Sequence, residues 1–238
     1  MPKYDSLPER LAIHRQDYRI SIVGAGGKST LLSLLGRVYR ERGEKVVLTT
    51  TTHIRRPEQT PELRVLVDST LDELQAAVNG QTALLMVGSA APDGKLAAPA
   101  PKLLEWLAKQ PLRLLIEADG AHQFPIKLPA AHEPVILPQT QRVIAVAGLS
   151  ALGHPLGQVC HRAELARELL DCPLEQPLTP AMLAVLLQHG YGTYEPVWLL
   201  NQADTPALRF QAREVARQLC SNGRPQRLLA TALLQEDN

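Results

Sequence analysis

The sequence predicts an α/β protein whose mostly parallel sheet is covered by helices on both faces. Short apolar runs, such as residues 18–23 and 83–87, alternate with segments of helical periodicity, such as residues 28–40. These runs contain few polar residues, which is typical of strands that are buried on both faces of a sheet. The 238 residues can bury a sizeable core, and no repeat or change of composition divides them, so we predict a single domain over residues 1–238.

The composition argues against several kinds of partner. The chain has 25 Lys and Arg residues against 24 Asp and Glu residues, so we expect no binding to nucleic acid or to an acidic membrane surface. No stretch approaches the roughly 18 apolar residues of a membrane span, and no signal peptide is visible, so we expect a cytoplasmic protein. The three cysteines form no C-x-x-C pair, which argues against a disulfide framework and against a zinc site.

The elements follow in order from periodicity and end signals. Residues 1–17 are expected to form a short helix or arm. Strands are predicted over 18–23, 45–48, 64–67, 83–87, 113–116, 143–147, 197–200 and 227–230, and helices over 28–40, from 70, near 102–109, and over 161–170, 180–188 and 205–219. Thr70 and Glu73 form a capping-box pattern, and Thr179 with Pro180 begins a helix that Gly190 ends. Residues 89–101 are predicted to form a surface loop, and residues 121–141 an irregular, proline- and histidine-containing insertion that is either functional or disordered.

A glycine-rich turn carries the strongest functional signal. Residues 20–35 read ISIVGAGGKSTLLSLL, which is an apolar strand, a turn and a leucine-patterned helix. Glycines let several backbone N–H groups point at one anion, and the helix adds its positive N-terminal end. We therefore expect the turn to bind ATP or GTP, with Lys28 at the β- and γ-phosphates and Ser29 on Mg²⁺. The predicted nucleotide-binding residues of the turn are Gly24, Ala25, Gly26, Gly27, Lys28, Ser29 and Thr30.

The spacing of this turn is G-x-x-G-K-S rather than the usual G-x-x-x-x-G-K-[ST], and it resembles the loop of Mur-type ligases. With a strand before it and a helix after it, the turn predicts a three-layer P-loop NTPase-like fold. The alternative is a glycine-rich connection whose lysine has no ligand.

Acidic residues follow a second apolar strand. Glu117 and Asp119 come after residues 113–116 and resemble a Walker B element, which holds Mg²⁺. Ligands bind at the carboxyl ends of the strands in such sheets, so these carboxylates are expected near Lys28. The alternative is an ion pair with Arg or Lys. Glu117 with Gly120 also resembles the E-x-x-G switch of nickel-insertion GTPases.

Two more strand ends carry candidate residues. Residues 49–53 read TTTTH; we expect a threonine here, Thr51, to complete the Mg²⁺ shell or to contact the γ-phosphate, unless the threonines only extend the strand. Residues 201–204 read NQAD and resemble the N-K-x-D motif with which GTPases recognise guanine, although glutamine replaces the usual lysine. Asn201 would hold the loop and Asp204 would accept from the base; the alternative is a helix N-cap, a role that Asp204 and Thr205 both suit.

The remaining polar residues are candidates for contact with a second substrate. Lysine and histidine side chains bind anions or donate protons. The two residues that open the helix predicted at 161–170 would bind phosphate; the alternative is an ordinary polar helix start at the surface. The candidate substrate residues are His53, His122, Lys127, His132, Glu133, His161 and Arg162, and the candidate catalytic residues are Lys28, Glu117, Asp119 and Lys127. The histidines lack the H-x₃-H spacing of a zinc helix, so a zinc site is the less favoured interpretation.

Taken together, V-G-A-G-G-K-S-T, T-T-T-T-H, E-A-D-G-A-x-x-x-P-I-K-x-P-A-x-H-E-P-V-I, G-L-x-A-L-G, H-R-A-E-L-A and N-Q-A-D resemble the YqeC family. The motifs cover nearly the whole chain, and the block from E-A-D-G-A to H-E-P-V-I is the most specific. The resemblance implies an accessory protein of selenium-dependent hydroxylases, or of selenium-cofactor biosynthesis, associated with the maturation of molybdenum hydroxylases. Gln202, where relatives often carry lysine, is the main departure.

The leading hypothesis is a Mg²⁺-dependent ATP- or GTP-binding protein, an NTPase, that acts in the maturation of these hydroxylases. A molybdenum or selenium cofactor, or a hydroxylase apoenzyme, would be its partner, which only the resemblance implies. One alternative is a Mur-like ligase or kinase that acts on a small acid or cofactor. Another is a nucleotide-switched binding module without useful turnover.

Overall fold

The computed structural model describes residues 5–220 and 227–233. Its helices are α1 (Leu7–Arg10), α2 (Lys28–Glu41), α3 (Leu71–Asn79), α4 (Pro101–Lys109), α5 (Leu156–Val159), α6 (Ala163–Leu170), α7 (Pro180–Tyr191) and α8 (Pro206–Cys220). Its strands are β1 (Arg19–Gly24), β2 (Val46–Thr50), β3 (Ile54–Arg55), β4 (Leu63–Val67), β5 (Leu84–Ala90), β6 (Lys95–Ala97), β7 (Arg113–Glu117), β8 (Ile126–Lys127), β9 (Arg142–Gly148), β10 (Cys160–His161), β11 (Val197–Asn201) and β12 (Leu228–Ala230).

A single mostly parallel sheet organises the described chain. Its strand order is β12-β11-β9-β1-β7-β2-β5-β6-β3, and β4 pairs with β5. Only the pairs that β6 makes with β5 and β3 are antiparallel. β1 lies between β7 and β9, with Ile22 opposite Glu117 and Gly24 opposite Val146. The carboxyl ends of these strands therefore meet at one edge of the sheet.

Helices cover both faces of the sheet, as predicted. In β1, Ile22 packs in the apolar cluster that contains the buried leucines of α1 and α2. The next residue, Val23, packs in a second cluster that contains the apolar residues of α3, α4, α6, α7 and α8. Because successive side chains of a strand point to opposite faces, the two clusters are the two interfaces of a three-layer α/β fold. The predicted fold class is confirmed.

End signals in the sequence were correct at several helices. The Thr70 hydroxyl accepts from the Glu73 amide, and the Glu73 carboxylate accepts from the Thr70 amide, so the predicted capping box is present. Thr179 caps α7 by accepting from the Met182 amide. The prediction that Gly190 ends this helix is wrong, because α7 continues to Tyr191. A Cβ on Gly190 would lie 2.7 Å from Pro129 Cδ, so the glycine permits close packing rather than a stop.

Two further predictions were wrong in detail. Residues 89–101 are not only a surface loop, because the chain turns through the 3₁₀ helix Pro92–Gly94 into β6, which pairs with β5 and β3. The helix predicted to begin at residue 161 begins at Ala163. His161 lies in β10, which pairs with β8, and Arg162 has a left-handed backbone with φ of 63°. In both regions the structure depends on strand pairing between segments that are distant in the sequence, and local periodicity gives no indication of such pairing.

The first part of the insertion at 121–141 packs over the carboxyl ends of the strands, and its last residues return to the amino end of β1, where the Gln141 amide donates to the Arg19 carbonyl. β8 pairs with β10, the Gly148 amide donates to the Pro125 carbonyl, and the Val135 amide donates to the Ala118 carbonyl. The segment is otherwise without regular structure, as predicted, and it lies beside the predicted site. Across residues 5–220 and 227–233, no helix combines the length and the apolarity needed to cross a bilayer.

Candidate functional site

The glycine-rich turn joins β1 to the first residue of α2. Gly26 and Gly27 have φ of 76° and 135°, which side chains other than glycine rarely adopt. A Cβ on Gly26 would lie 2.5 Å from the Pro125 carbonyl oxygen, and a Cβ on Gly27 would lie 2.3 Å from Asn201 Nδ2. The turn is therefore shaped by close contact with both the insertion and the end of β11.

Lys28 is buried beside two carboxylates. Its ammonium donates to the Gly24 carbonyl at 2.6 Å and lies 3.4 Å from Asp119 Oδ1 and 3.7 Å from Glu117 Oε1. Ser29 Oγ donates to Glu117 Oε2 at 2.8 Å. The structure thus brings together the residues at the end of β1 and the acids at the end of β7, although they are about ninety positions apart in the sequence.

The two carboxyl groups have different surroundings. Burial raises the pKa of Glu117, and Lys28 and Ser29 oppose this effect. Asp119 Oδ2 accepts from the Gly24 amide at 3.1 Å and from the Tyr191 hydroxyl at 2.9 Å. Asp119 Oδ1 is also buried but accepts no hydrogen bond from the described residues. This oxygen, which has the Lys28 ammonium beside it but no hydrogen bond, is a candidate ligand position.

A chain of ion pairs connects Asp119 with the insertion. The Lys127 ammonium lies 3.5 Å from Asp119 Oδ2, and it donates to Glu133 at 2.8 Å and to the Gly120 carbonyl at 2.5 Å. Glu133 also accepts from Arg162. Burial alone would raise the pKa of Glu133, but the hydrogen bonds from Arg162 and Lys127 lower it to about 2. The network therefore keeps Glu133 charged and Lys127 fixed next to Asp119.

His161 forms the outer part of the same region. It stacks on His122 with ring centroids 4.7 Å apart and lies near Phe124, at 6.0 Å. Burial, followed by the positive charges of Arg162 and Lys127, lowers the pKa of His161 to about 4. At neutral pH this imidazole is uncharged, so it can accept or donate a hydrogen bond but adds no positive charge. His53, His122 and His132 are exposed.

The threonines at the end of β2 and just after it are largely engaged with the backbone. Thr49 and Thr50 belong to the strand, and their hydroxyls donate to the carbonyls of Val87 and Glu117. Thr51 donates to the carbonyl of Val135 at 2.8 Å. Extension of the strand therefore accounts for the first two. The Thr51 hydroxyl also ties the insertion to the sheet, and its oxygen keeps a lone pair for a ligand.

The end of β11 holds the glycine turn. Asn201 Nδ2 donates to the Gly26 carbonyl at 2.8 Å, and Asn201 Oδ1 accepts from the Leu233 amide at 3.0 Å. Helix α8 is capped by Thr205, whose hydroxyl accepts from the Leu208 amide at 3.1 Å. Across the described chain, the Asp204 carboxylate makes no hydrogen bond or ion pair. The capping interpretation thus applies to Thr205, and Asp204 stays available for a ligand.

The chemistry of the cluster suits a hard cation that retains water. Across the described ranges, no group of three or more His, Cys, Asp and Glu residues is arranged to hold a metal ion by itself. Magnesium is usually bound by one or two carboxylates together with the phosphates of a ligand. Glu117, the open oxygen of Asp119 and the Ser29 hydroxyl fit that pattern. Tyr191 is the residue that sequence reasoning missed, since nothing near it in the sequence indicates contact with Asp119.

Fold and site together define a three-layer α/β protein with a polar cluster around a glycine-rich turn at the carboxyl edge of its sheet. The chain belongs to the YqeC family, because the family model described as "YqeC protein" matches residues 20–164. It is also 30% identical over 197 residues to "Uncharacterized protein YqeC" of Escherichia coli strain K12, an alignment that covers 77% of this chain and 75% of the relative. The predicted family is confirmed. The matched range includes Lys28, Glu117 and Asp119 and ends before Tyr191.

Proposed function

We propose that this chain is a Mg²⁺-dependent NTPase that binds ATP or GTP at the glycine-rich turn. The observation that carries the proposal is the contact between Lys28 and Asp119. A buried ammonium at the start of α2 lies 3.4 Å from a buried carboxylate oxygen that accepts no hydrogen bond within the described chain. Together they provide a cation for phosphate and an oxygen ligand for a metal ion in one place.

The residues of the turn would hold the polyphosphate. The backbone amides of Gly26 and Gly27 and the N-terminal end of α2 favour an anion, whereas the amides of Gly24 and Ala25 already donate to Asp119 and to the Val146 carbonyl. Lys28 can turn its ammonium from the carboxylates to phosphate oxygens. Ser29, Asp119, Glu117 and Thr51 are the candidate ligands of Mg²⁺. When bound, Mg²⁺ would neutralise negative charge on the phosphates. The protein therefore contributes by positioning and charge compensation.

The base and the second substrate would contact different groups of residues around the turn. The unpartnered Asp204 is proposed to contact the base, while Asn201 holds the turn in place. Lys127, Glu133 and Arg162, together with the stacked His122 and His161, are proposed to face the second substrate.

Thermal-shift titration with ATP, GTP and their diphosphates, with and without Mg²⁺, tests the proposal, because specific binding raises the melting temperature by mass action. We expect a rise with a nucleoside triphosphate and Mg²⁺, and no rise for Lys28→Met. Lys45→Met is the matched control, since Lys45 also donates to backbone carbonyls but directly precedes β2, away from the turn. An equal rise for the parent and for Lys28→Met would refute the proposal.

Turnover separates this function from its alternatives. Phosphate release by the protein alone supports an NTPase. Release that stays negligible until a specific acceptor is added supports a ligase or kinase. Tight binding without turnover under any condition supports a nucleotide-switched binding module.

We also propose, on the family resemblance alone, that turnover serves the maturation of selenium-dependent molybdenum hydroxylases or their cofactor. The test is hydroxylase activity and cofactor content in a strain that lacks this chain, complemented by the parent gene or by Lys28→Met. We expect restoration by the parent only. Full hydroxylase activity in the deletion strain would refute this part of the proposal without affecting the nucleotide site.

A further inference from the structure

Tyr191 is buried in the site, with 0% of its surface exposed, although it lies at the far end of α7. Its hydroxyl donates to Asp119 Oδ2 at 2.9 Å. Asp119 is itself only 1% exposed, so this hydrogen bond is shielded from water. A shielded hydrogen bond to a charged group is stronger than one at the surface.

The hydrogen bonds of Asp119 are distributed unequally between its two oxygens. Oδ2 accepts from the Gly24 amide and from Tyr191, and the Lys127 ammonium lies 3.5 Å away. Oδ1 accepts no hydrogen bond within the described chain and faces the Lys28 ammonium at 3.4 Å. One oxygen is therefore saturated, and the orientation of the carboxylate leaves the other one open toward the glycine turn.

We propose that Tyr191 is a positioning residue that orients Asp119 so that its Oδ1 faces the cation and phosphate side of the turn. This inference rests on the proposed function. Of the three groups around Oδ2, the Gly24 amide is backbone, and Lys127 is shared with Glu133 and with the Gly120 carbonyl. Tyr191 is therefore the side chain, among these three groups, that hydrogen-bonds to Asp119 alone.

Tyr191→Phe tests the inference, because it removes the donor and keeps the ring. Removing an outer-shell partner of a metal ligand typically lowers metal affinity by about 10–100-fold. The assay is calorimetric titration with the β,γ-imido analogues of ATP and GTP over a series of Mg²⁺ concentrations and in EDTA. We expect the Mg²⁺ concentration for half-maximal enhancement of binding to rise about tenfold or more, with the affinity in EDTA unchanged.

Matched variants separate positioning from general stability. Tyr39→Phe is the control, since Tyr39 is equally buried but packs under Arg113 on the other face of the sheet. Asp119→Asn combined with Tyr191→Phe should show no additional effect of the tyrosine change if the hydroxyl acts through Asp119. Tyr191→Met, which also lacks the donor, tests the same expectation with a side chain of different shape.

An unchanged Mg²⁺ dependence in Tyr191→Phe would overturn the inference. So would an equal loss of affinity with Mg²⁺ and in EDTA, which a merely structural role predicts. If neither analogue binds to the parent protein, the proposed function fails and the inference fails with it. The outcomes are distinguishable because the parent protein is titrated in the same series.

Discussion

Lys28→Met is expected to destabilise the ligand-free protein as well as to prevent nucleotide binding. The Lys28 side chain is 4% exposed and faces carboxylates that are 7% and 0% exposed. Removing one partner of a buried ion pair costs about 3–5 kcal/mol because the other charge is left uncompensated. In Lys28→Met, Asp119 still has the Lys127 ammonium 3.5 Å away. Burial already raises the pKa of Glu117, so Glu117 can take up a proton when Lys28 is removed. We therefore expect the low end of this range.

A loss of about 3 kcal/mol corresponds to a melting temperature lower by roughly 6–12 °C, at about 2–4 °C per kcal/mol for a chain of this size. The measurement is urea denaturation and thermal melting at pH 7 of the parent, Lys28→Met and Lys45→Met, each without and with nucleotide and Mg²⁺. At a ligand concentration one hundred times the dissociation constant, the parent should gain about 2.7 kcal/mol, and Lys28→Met should gain nothing. If Lys28→Met were as stable as Lys45→Met, the ammonium would not be compensating these carboxylates, and the reasoning would be wrong.

Three further predictions follow from the geometry. Gly27→Ala should abolish the nucleotide-induced rise in melting temperature, because its Cβ would lie 2.3 Å from Asn201 Nδ2; Gly43→Ala, at φ of 80° with nothing within 4 Å, should cost only about 1 kcal/mol of backbone strain. The pKa of Glu133 is lowered from 4.5 to about 2, so the stability that the charged carboxylate contributes is present above pH 4.5 and is lost as the pH falls toward 2. The difference in melting temperature between the parent and Glu133→Gln should therefore shrink from pH 7 to pH 3. The pKa of His161 is lowered from 6.5 to about 4, so as the pH falls the imidazole is protonated in the unfolded chain before it is protonated in the folded one, and the protein loses stability between these two values. Between pH 7 and pH 5, the melting temperature of His161→Asn should therefore fall less than that of the parent.

Local signals made much of the site predictable from sequence. The glycine turn, Lys28 and Ser29 are adjacent in the chain, and the acids at the end of β7 follow an apolar run. The rule that ligands bind at the carboxyl ends of parallel strands was then enough to place Lys28 near Asp119, and the structure has them 3.4 Å apart. The roles of these residues in binding and catalysis stay predictions.

The remainder depended on contacts between distant segments. Tyr191 reaches Asp119 from the end of a helix that follows the acids by about seventy residues, and no motif surrounds it. His161 resembled the first residue of a helix, but its pairing with β8 makes it part of a strand. When a tyrosine lies at the end of an apolar helix, the sequence alone does not show which buried group its hydroxyl will contact.

Because the Leu233 amide donates to Asn201, its rate of hydrogen exchange can report on the state of the glycine turn. The side-chain nitrogen of Asn201 donates to the Gly26 carbonyl, while its side-chain oxygen accepts from the Leu233 amide. Asn201 therefore connects the glycine turn to the backbone amide of Leu233. Hydrogen–deuterium exchange at Leu233 should slow when the turn is occupied and quicken in Asn201→Ala. A peptide near the end of the chain would then report on a loop that lies some two hundred positions earlier.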